Sequence, residues 1–253
     1  MVNDKNFTNQ RITSSSFLNS SHVLSNGMLN LLIVEAALET VPESLWNHPA
    51  VKKHAAKKGK KPGEILLDRS YHHSAMLKLE NSMKRGRPDL VHFSLLEACS
   101  TPLYLLGLLK VYVHTINDVV IRIGTKVRLP KSYFRFEGLM EQLFKQRRIK
   151  SNSEILLEME RMSFSELLAQ IKPPLVIGLS RIGEESNCQK VAKELSLKEG
   201  SAVVVGGFPR GHFSTHISSH FDRLYSIHRL SLEAHTVIAR IIYEYEKQVG
   251  VSN

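Results

Sequence analysis

Val203-Val-Val-Gly-Gly-Phe-Pro-Arg-Gly-His212 sets a short β-branched run directly against two glycines, a proline and a third glycine. A run that is apolar at every position reads as a strand buried on both faces, as in a parallel sheet. Glycines at its end leave bare backbone that a small ligand can approach closely. Two readings stay open locally: a plain turn, or one edge of a pocket. With glycines at 206, 207 and 211 and Pro209 between them, the run does not match the GxGxxG spacing of a dinucleotide-binding turn. Upstream, Pro173-Pro174 introduces a second such strand, Leu175-Val-Ile-Gly-Leu-Ser180, and a short helix over 188–197 separates the two. Downstream, 225–228 reads as a further strand and 232–248 as a closing helix, with Val237, Ile238, Ile241, Ile242 and Tyr245 on its inner face. Strands alternating with helices predict an α/β fold around a mostly parallel sheet.

The N-terminal part extends the pattern. Spacing predicts a buried strand over 29–35, then a helix with Pro49 near its start that ends in the loop Gly59-Lys-Lys-Pro62. A second helix is expected over 70–80. Leu90-Val-His-Phe-Ser94 reads as a strand, followed by a long apolar helix broken near Pro102. The runs 110–115 and 119–123 flank Asn117-Asp118 as a β-hairpin. Helices are predicted over 135–146 and 153–171, the latter capped by Ser153 and Glu154. The hairpin and its neighbours, roughly 110–150, interrupt the alternation and read as a hairpin and helical extension on one domain spanning 28–253. Residues 1–27, rich in Ser and Asn, lack the apolar stretch of a signal peptide. They read as a disordered tail, or as a start placed upstream of a natural beginning near Met28.

Composition narrows the function classes. The two cysteines, Cys99 and Cys188, make no disulfide framework and read as buried free thiols in a reducing, cytoplasmic setting. The richest apolar stretch, 95–113, contains Glu97, Pro102 and Lys110, so no membrane span is expected. Net charge is +10, and it is unevenly placed. The segments 52–61, 84–87, 122–136 and 145–150 together hold 18 of the 34 basic residues and no acid. Clustered positive charge predicts a polyanionic partner, nucleic acid before membrane, because no amphipathic anchor accompanies it.

Two basic constellations stand out. In Arg87-Pro-Asp89 the proline fixes the backbone between a cation and a carboxylate, so Asp89 can steer the guanidinium; the plainer reading is a surface ion pair at the start of a strand. In Val127-Arg-Leu-Pro-Lys131, Arg128 and Lys131 flank Pro130, and Arg135 follows on the first turn of a helix. Such a row suits phosphates, or is a solvated helix start. Tyr133, Phe134 and Phe136 read as core before base-stacking platforms. Adjacent His72 and His73 point apart, and His212, His216, His220 and His228 have no partner at zinc-like spacing, so no metal is expected.

Taken in order, these residues resemble the pseudouridine-N1-specific rRNA methyltransferases of small-subunit ribosome biogenesis, a family of the SPOUT superfamily. The resemblance is carried by Leu29-Asn-Leu-Leu-Ile-Val-Glu-Ala-Ala37, Arg87-Pro-Asp89, Ser100-Thr-Pro-Leu103 with Gly107-Leu-Leu-Lys-Val-Tyr-Val-His114, Val127-Arg-Leu-Pro130, Arg135-Phe-Glu-Gly-Leu-Met140, Gly206 to Gly211, and 227–232. No single motif is specific; the ordered set is. Asp68-Arg-Ser-Tyr-His-His-Ser-Ala-Met76 is similar to archaeal members.

The resemblance implies a deep C-terminal trefoil knot within roughly 174–248, an exception to unknotted connection. It implies S-adenosylmethionine bent in the knot, held by backbone groups of three loops at Leu179, at Gly206 and Gly211, and at Ile227, His228, Arg229, Leu230, Ser231 and Leu232. It implies a homodimer acting on small-subunit rRNA in a pre-ribosomal particle, with Arg87 on the rRNA, Asp89 orienting Arg87, and Arg128, Lys131 and Arg135 as further rRNA contacts. Many relatives carry arginine where this chain has Lys131, which keeps the charge but loses the bidentate fork. Ser231 stands where eukaryotic members carry proline. The residues assign no general base, and Asp89 qualifies only if it faces the base and not Arg87. The rival readings are an rRNA-binding assembly factor in which methylation is secondary, and a knotted methyltransferase for tRNA.

Overall fold

The structure, a computed structural model, describes residues 27–125 and 127–251; of the tail expected at 1–27, all but residue 27 lies outside them. One sheet of eight strands organises the chain, running from β4 (Arg148–Ser151) through β5 (Glu154–Arg161), β3 (Val119–Ile123), β2 (Leu109–Thr115), β1 (Leu29–Ala36), β7 (Ala202–Gly206) and β6 (Val176–Glu185) to β8 (Arg223–Ser226). Its parallel part comprises β2, β1, β7, β6 and β8. β1 is buried at every position because β2 and β7 flank it and helices cover both faces. Register places Leu31 between Val111 and Val203, and Ile33 between Val113 and Val205.

The period-2 alternation of β1 sorts its side chains into two cores. Leu31 and Ile33 join Leu90, Leu95, Ile238, Ile241 and Tyr245 from α3 (Pro88–Ala98) and α9 (Ala234–Gln248). Leu32 and Val34 face the other way, onto Phe164 and Leu167 of α6 (Phe164–Ile171). Each such fully buried aliphatic side chain contributes about 1.5–3 kcal/mol. A smaller core formed by Val41, Val51, Ile65, Leu67 and Met76 gathers the lysine-rich α1 (Pro49–Lys58) and the short turns that follow it.

Several sequence expectations are corrected. The run Leu90-Val-His-Phe-Ser94 is not a strand but the middle of α3, whose Pro88 occupies the first helical turn, where its missing N–H costs nothing. The helix predicted over 153–171 is a strand, β5 (Glu154–Arg161), followed by α6. Ser153 and Glu154 cap nothing; Ser163 and Glu166 form the capping box instead. The helix expected over 70–80 is the single turn α2 (Arg69–His72) and a 3₁₀ turn. β2 belongs to the parallel core beside β1, while β3 (Val119–Ile123), β5 and β4 (Arg148–Ser151) add an antiparallel edge. Between β3 and β4 lies α5 (Tyr133–Gln146). No helix among the described residues is long and apolar enough to cross a membrane. Cys99 and Cys188 are free thiols, and burial pushes the Cys99 thiol up to about 12.

Candidate functional site

The ends of β7 and β8 meet the middle of β6, at Leu179–Arg181 where its pairing with β8 shifts register, and with the loops leaving β7 and β8 they enclose a cavity of about 390 Å³. In open parallel sheets this carboxyl edge is where ligands bind. Leu179, Gly206 and Gly211 line the cavity, as do Ile227, His228, Leu230, Ser231 and Leu232 of the third loop. Arg229 does not; its exposed guanidinium pairs with Glu185 at 3.1 Å. The third loop is braced internally. Ser226 Oγ donates to the His228 carbonyl (3.1 Å), and the Leu230 N–H donates to His228 Nδ1 (3.0 Å).

Glycine chemistry at the middle loop differs from position to position. A Cβ on Gly206 would lie 2.8 Å from the Phe208 ring, and Gly211 has φ +95°, a conformation side chains rarely adopt. Gly207, to which the resemblance assigns no role, is the tightest of the three. A Cβ there would lie 2.7 Å from Ala36 Cα and 2.8 Å from both Ala36 Cβ and Ile33 Cγ2. Its backbone is also fixed, since its N–H donates to the Val34 carbonyl and its carbonyl accepts from the Ala37 N–H, each at 2.8 Å.

Sequence reasoning did not assign Ser180, Arg181, Phe208, Arg210, His212 and Glu233, which also line the cavity. Their signal was adjacency to assigned loop positions. The floor is apolar, from Leu179, Val205, Ile227 and Val237, and the rim is polar, from Arg181, Arg210, His212 and Glu233. That combination suits a ligand with a hydrophobic body and polar ends. Among the described residues, no group of three or more His, Cys, Asp or Glu is placed to hold a metal ion.

The first turn of α3 forms one wall, through Leu90. Directly before it, Arg87 Nε and Nη2 donate to Asp89 Oδ1 and Oδ2 at 2.8 and 2.9 Å, a bidentate pair whose members are each about a third exposed. The hydrogen bonds that Arg87 donates to Asp89, reinforced by the charges of Asp89 and Glu233, raise the Arg87 pKa against the lowering effect of burial. Asp89 therefore faces Arg87, which removes the condition under which it would act as a base. The Arg87 N–H donates to the Ala37 carbonyl at 3.2 Å, so Ala37 holds both Arg87 and Gly207 by backbone bonds.

The remaining basic positions divide into two sets. Lys58 and Lys60 meet Glu137 and Glu141 of α5, Arg85 meets Glu39, Lys145 meets Glu64, and Arg122 and Arg148 meet Glu160 and Glu158. Segments without acids in sequence thus find them across the fold. Arg128, Lys131 and Arg135 are exposed and make no ion pair among the described residues. They sit in the loop before α5 and on its first turn. Phe136 is wholly buried, Tyr133 donates to Asp68 Oδ2 at 2.6 Å, and Phe134 is 76 % exposed, so only two of the three aromatics are structural.

Comparison with known proteins fits this architecture. Residues 31–246 match the model of the EMG1/NEP1 methyltransferase family. The chain is 44 % identical over 222 residues to the ribosomal RNA small subunit methyltransferase Nep1 of Thermococcus onnurineus, covering 88 % of this chain and all of that protein. It is 40 % identical over 221 residues to the Pyrococcus furiosus protein of the same name, covering 87 % of this chain and 97 % of that one. The crystal structure of Archaeoglobus fulgidus Nep1 bound to S-adenosylhomocysteine superposes with a TM-score of 0.79 at 34 % identity, covering 88 % of this chain and 99 % of that one. With its parallel sheet, its loop-built cavity and these matches along nearly the whole described chain, the protein belongs to the EMG1/NEP1 methyltransferase family.

Proposed function

We propose that the protein transfers a methyl group from S-adenosylmethionine to N1 of a pseudouridine in small-subunit rRNA. The observation that carries this reading is the shared wall: α3 lines the cavity with Leu90 and presents Arg87, held by Asp89, beside it. The cavity fits the cofactor, since about 390 Å³ lies within the range of roughly 300–1,000 Å³ typical of small-molecule sites. Gly206 and Gly211 keep its edge free of side chains, Leu179 contributes from within β6, and Ile227, His228, Leu230, Ser231 and Leu232 supply the third side. Bound there, S-adenosylmethionine supplies a methyl group already activated on a sulfonium.

The chain's own residues then mainly position and desolvate. The apolar floor excludes water. Arg87 anchors the RNA backbone beside the cavity, and Asp89 restricts the guanidinium to one orientation. Arg128, Lys131 and Arg135 add contacts that favour a base presented out of its stack. Pseudouridine offers an N1–H that uridine lacks, which is the chemical basis of the proposed selectivity. The same reading includes a trefoil knot at the cofactor end, a homodimer, a pre-ribosomal substrate and a cytoplasmic location.

Transfer of labelled methyl groups to matched stem-loops containing pseudouridine or uridine tests the reading. Methylation of the pseudouridine stem-loop alone is expected; equal transfer to both would sink the specificity, and transfer to tRNA in preference to rRNA fragments would redirect the substrate.

A further inference from the structure

Glu35 is the penultimate residue of β1 and has φ +51°, a left-handed conformation rarely adopted outside glycine. It lies within the register shift between Ile33 and Ala36 where β1 pairs with β2. Such irregularities turn a side chain away from its regular direction and occur beside functional sites. Here the carboxylate is turned toward the loop that follows β7. Its two oxygens accept from the Ser214 N–H at 3.2 and 3.3 Å, and Oε2 accepts from Lys84 Nζ at 2.8 Å. Both side chains of the ion pair are largely buried.

Lys84 does more than neutralise Glu35. Its ammonium stands 4.5 Å from the centre of the Phe208 ring, a cation–π distance, and its Cε passes 3.5 Å from where a Cβ of Gly211 would lie. Phe208 in turn meets Phe213 edge to face at 5.7 Å between centroids, and both line the cavity. The loop between β7 and α8 (Thr215–Ser218) is thus pinned at three places. Gly207 is tied to Val34 and Ala37 at its start, Lys84 crosses Phe208 and Gly211 at its middle, and Ser214 is held by Glu35 at its end.

We propose that Lys84, paired with Glu35, is a positioning residue that holds the 207–214 loop in the shape required for the cofactor. This rests on the reading that the cavity takes S-adenosylmethionine. A loop held in its bound shape before the ligand arrives spares the ligand the ordering cost, so the clasp acts on affinity without touching the reacting atoms.

The test uses the full-length chain with S-adenosylhomocysteine as the calorimetric probe, and a pseudouridine stem-loop in a separate titration without it. Lys84→Met is expected to weaken S-adenosylhomocysteine binding by about tenfold, an ordering cost of the usual size for a loop, and to change RNA binding by much less. Lys84→Arg, which retains the charge and the ring contact, should restore cofactor affinity. Because Lys84→Met leaves the Glu35 carboxylate buried without its cation, which destabilises the fold, Glu35→Gln combined with Lys84→Met removes both charges; it should melt near the wild type and still bind S-adenosylhomocysteine weakly. Unchanged cofactor affinity in that double variant overturns the proposal. So does a Lys84→Met effect confined to RNA affinity, which would make Lys84 an RNA contact. Failure of the wild type itself to bind S-adenosylhomocysteine would overturn the cofactor reading, an outcome separate from any difference between variants.

Discussion

The Nε2–H of His92 donates to the Pro130 carbonyl across 2.7 Å. The bond joins α3, which carries Asp89, to the loop that carries Arg128 and Lys131. The ring also stacks on Phe136 of α5 at 4.3 Å, and it is almost wholly buried, with Nδ1 lacking a partner among the described residues. Burial lowers the His92 pKa, against the raising effect of the Pro130 bond, so the imidazole is neutral at physiological pH. His92→Phe keeps the stack and removes the bond, a loss of about 1 kcal/mol that the disappearance of the orphaned Nδ1 partly offsets. The expected outcome is a nearly unchanged melting temperature, a several-fold weaker RNA complex and unaltered S-adenosylhomocysteine binding. An RNA affinity equal to wild type would show that the loop holds its place without His92.

Arg128 and Arg135, exposed and without an ion pair among the described residues, predict a measurable salt signature. Each phosphate contact contributes about 0.7–0.9 to the slope of log affinity against log salt. Replacing both by alanine should lower that slope by about 1.4–1.8 and weaken binding at low salt. Replacing Lys58 and Arg85, already committed to Glu137, Glu141 and Glu39, should disturb stability and leave the slope nearly intact.

Acid lability should trace to one buried pair. His54 Nδ1 and His72 Nε2 lie 2.9 Å apart, and His72 Nδ1 accepts from the Asp68 N–H at 3.1 Å. Burial, with His54 beside it, lowers the His72 pKa from 6.5 to about 4. A depressed folded-state value means that the unfolded chain binds the proton first as pH falls. Stability from this group is therefore complete above about pH 6.5 and drains away down to about pH 4, by at most about 3 kcal/mol. Melting curves across that window should show the decline in wild type and a flatter profile in His72→Phe. Identical profiles would assign the lability to other groups.

Gly207→Ala should be costlier than its chemistry suggests. The added methyl meets Ala36 backbone at 2.7 Å, an atom that no rotamer change can move. Overpacking of this kind costs about 1–3 kcal/mol, and a drop of roughly 2–4 °C in melting temperature per kcal/mol is expected at this chain length. Cofactor affinity should fall with it, because Gly206 shares the displaced backbone. A variant that melts and binds like wild type would contradict the close approach.

Much of the parallel sheet was legible because β7 is apolar throughout and β1 carries the unbroken apolar run Leu31–Val34, a pattern few other elements share. The errors have physical reasons. Leu90-Val-His-Phe-Ser94 is a short apolar run that period alone cannot assign, and the deciding sign was Pro88 in the first helical turn. In β5 the alternation was present, with Leu157 and Met159 inward and Glu160 outward, but leucine and glutamate are helix formers, and tertiary pairing with β3 overrode their preference. The cavity loops were legible from glycines and serines at strand ends. Lys84 and Glu35 were not, since 49 positions separate them in sequence and only the fold closes that distance.

Ala37 receives the Arg87 N–H on its carbonyl and gives its own N–H to Gly207. The proposed anchor for one reactant and the proposed cradle for the other are thus fastened to a single residue by main-chain bonds, which are blind to side-chain identity. Such a joint forgives substitution and punishes a change of length. Adding or deleting one residue at the end of β1 would shift both sites out of register together, whereas exchanging the side chain of Ala37 for another small one leaves the joint intact.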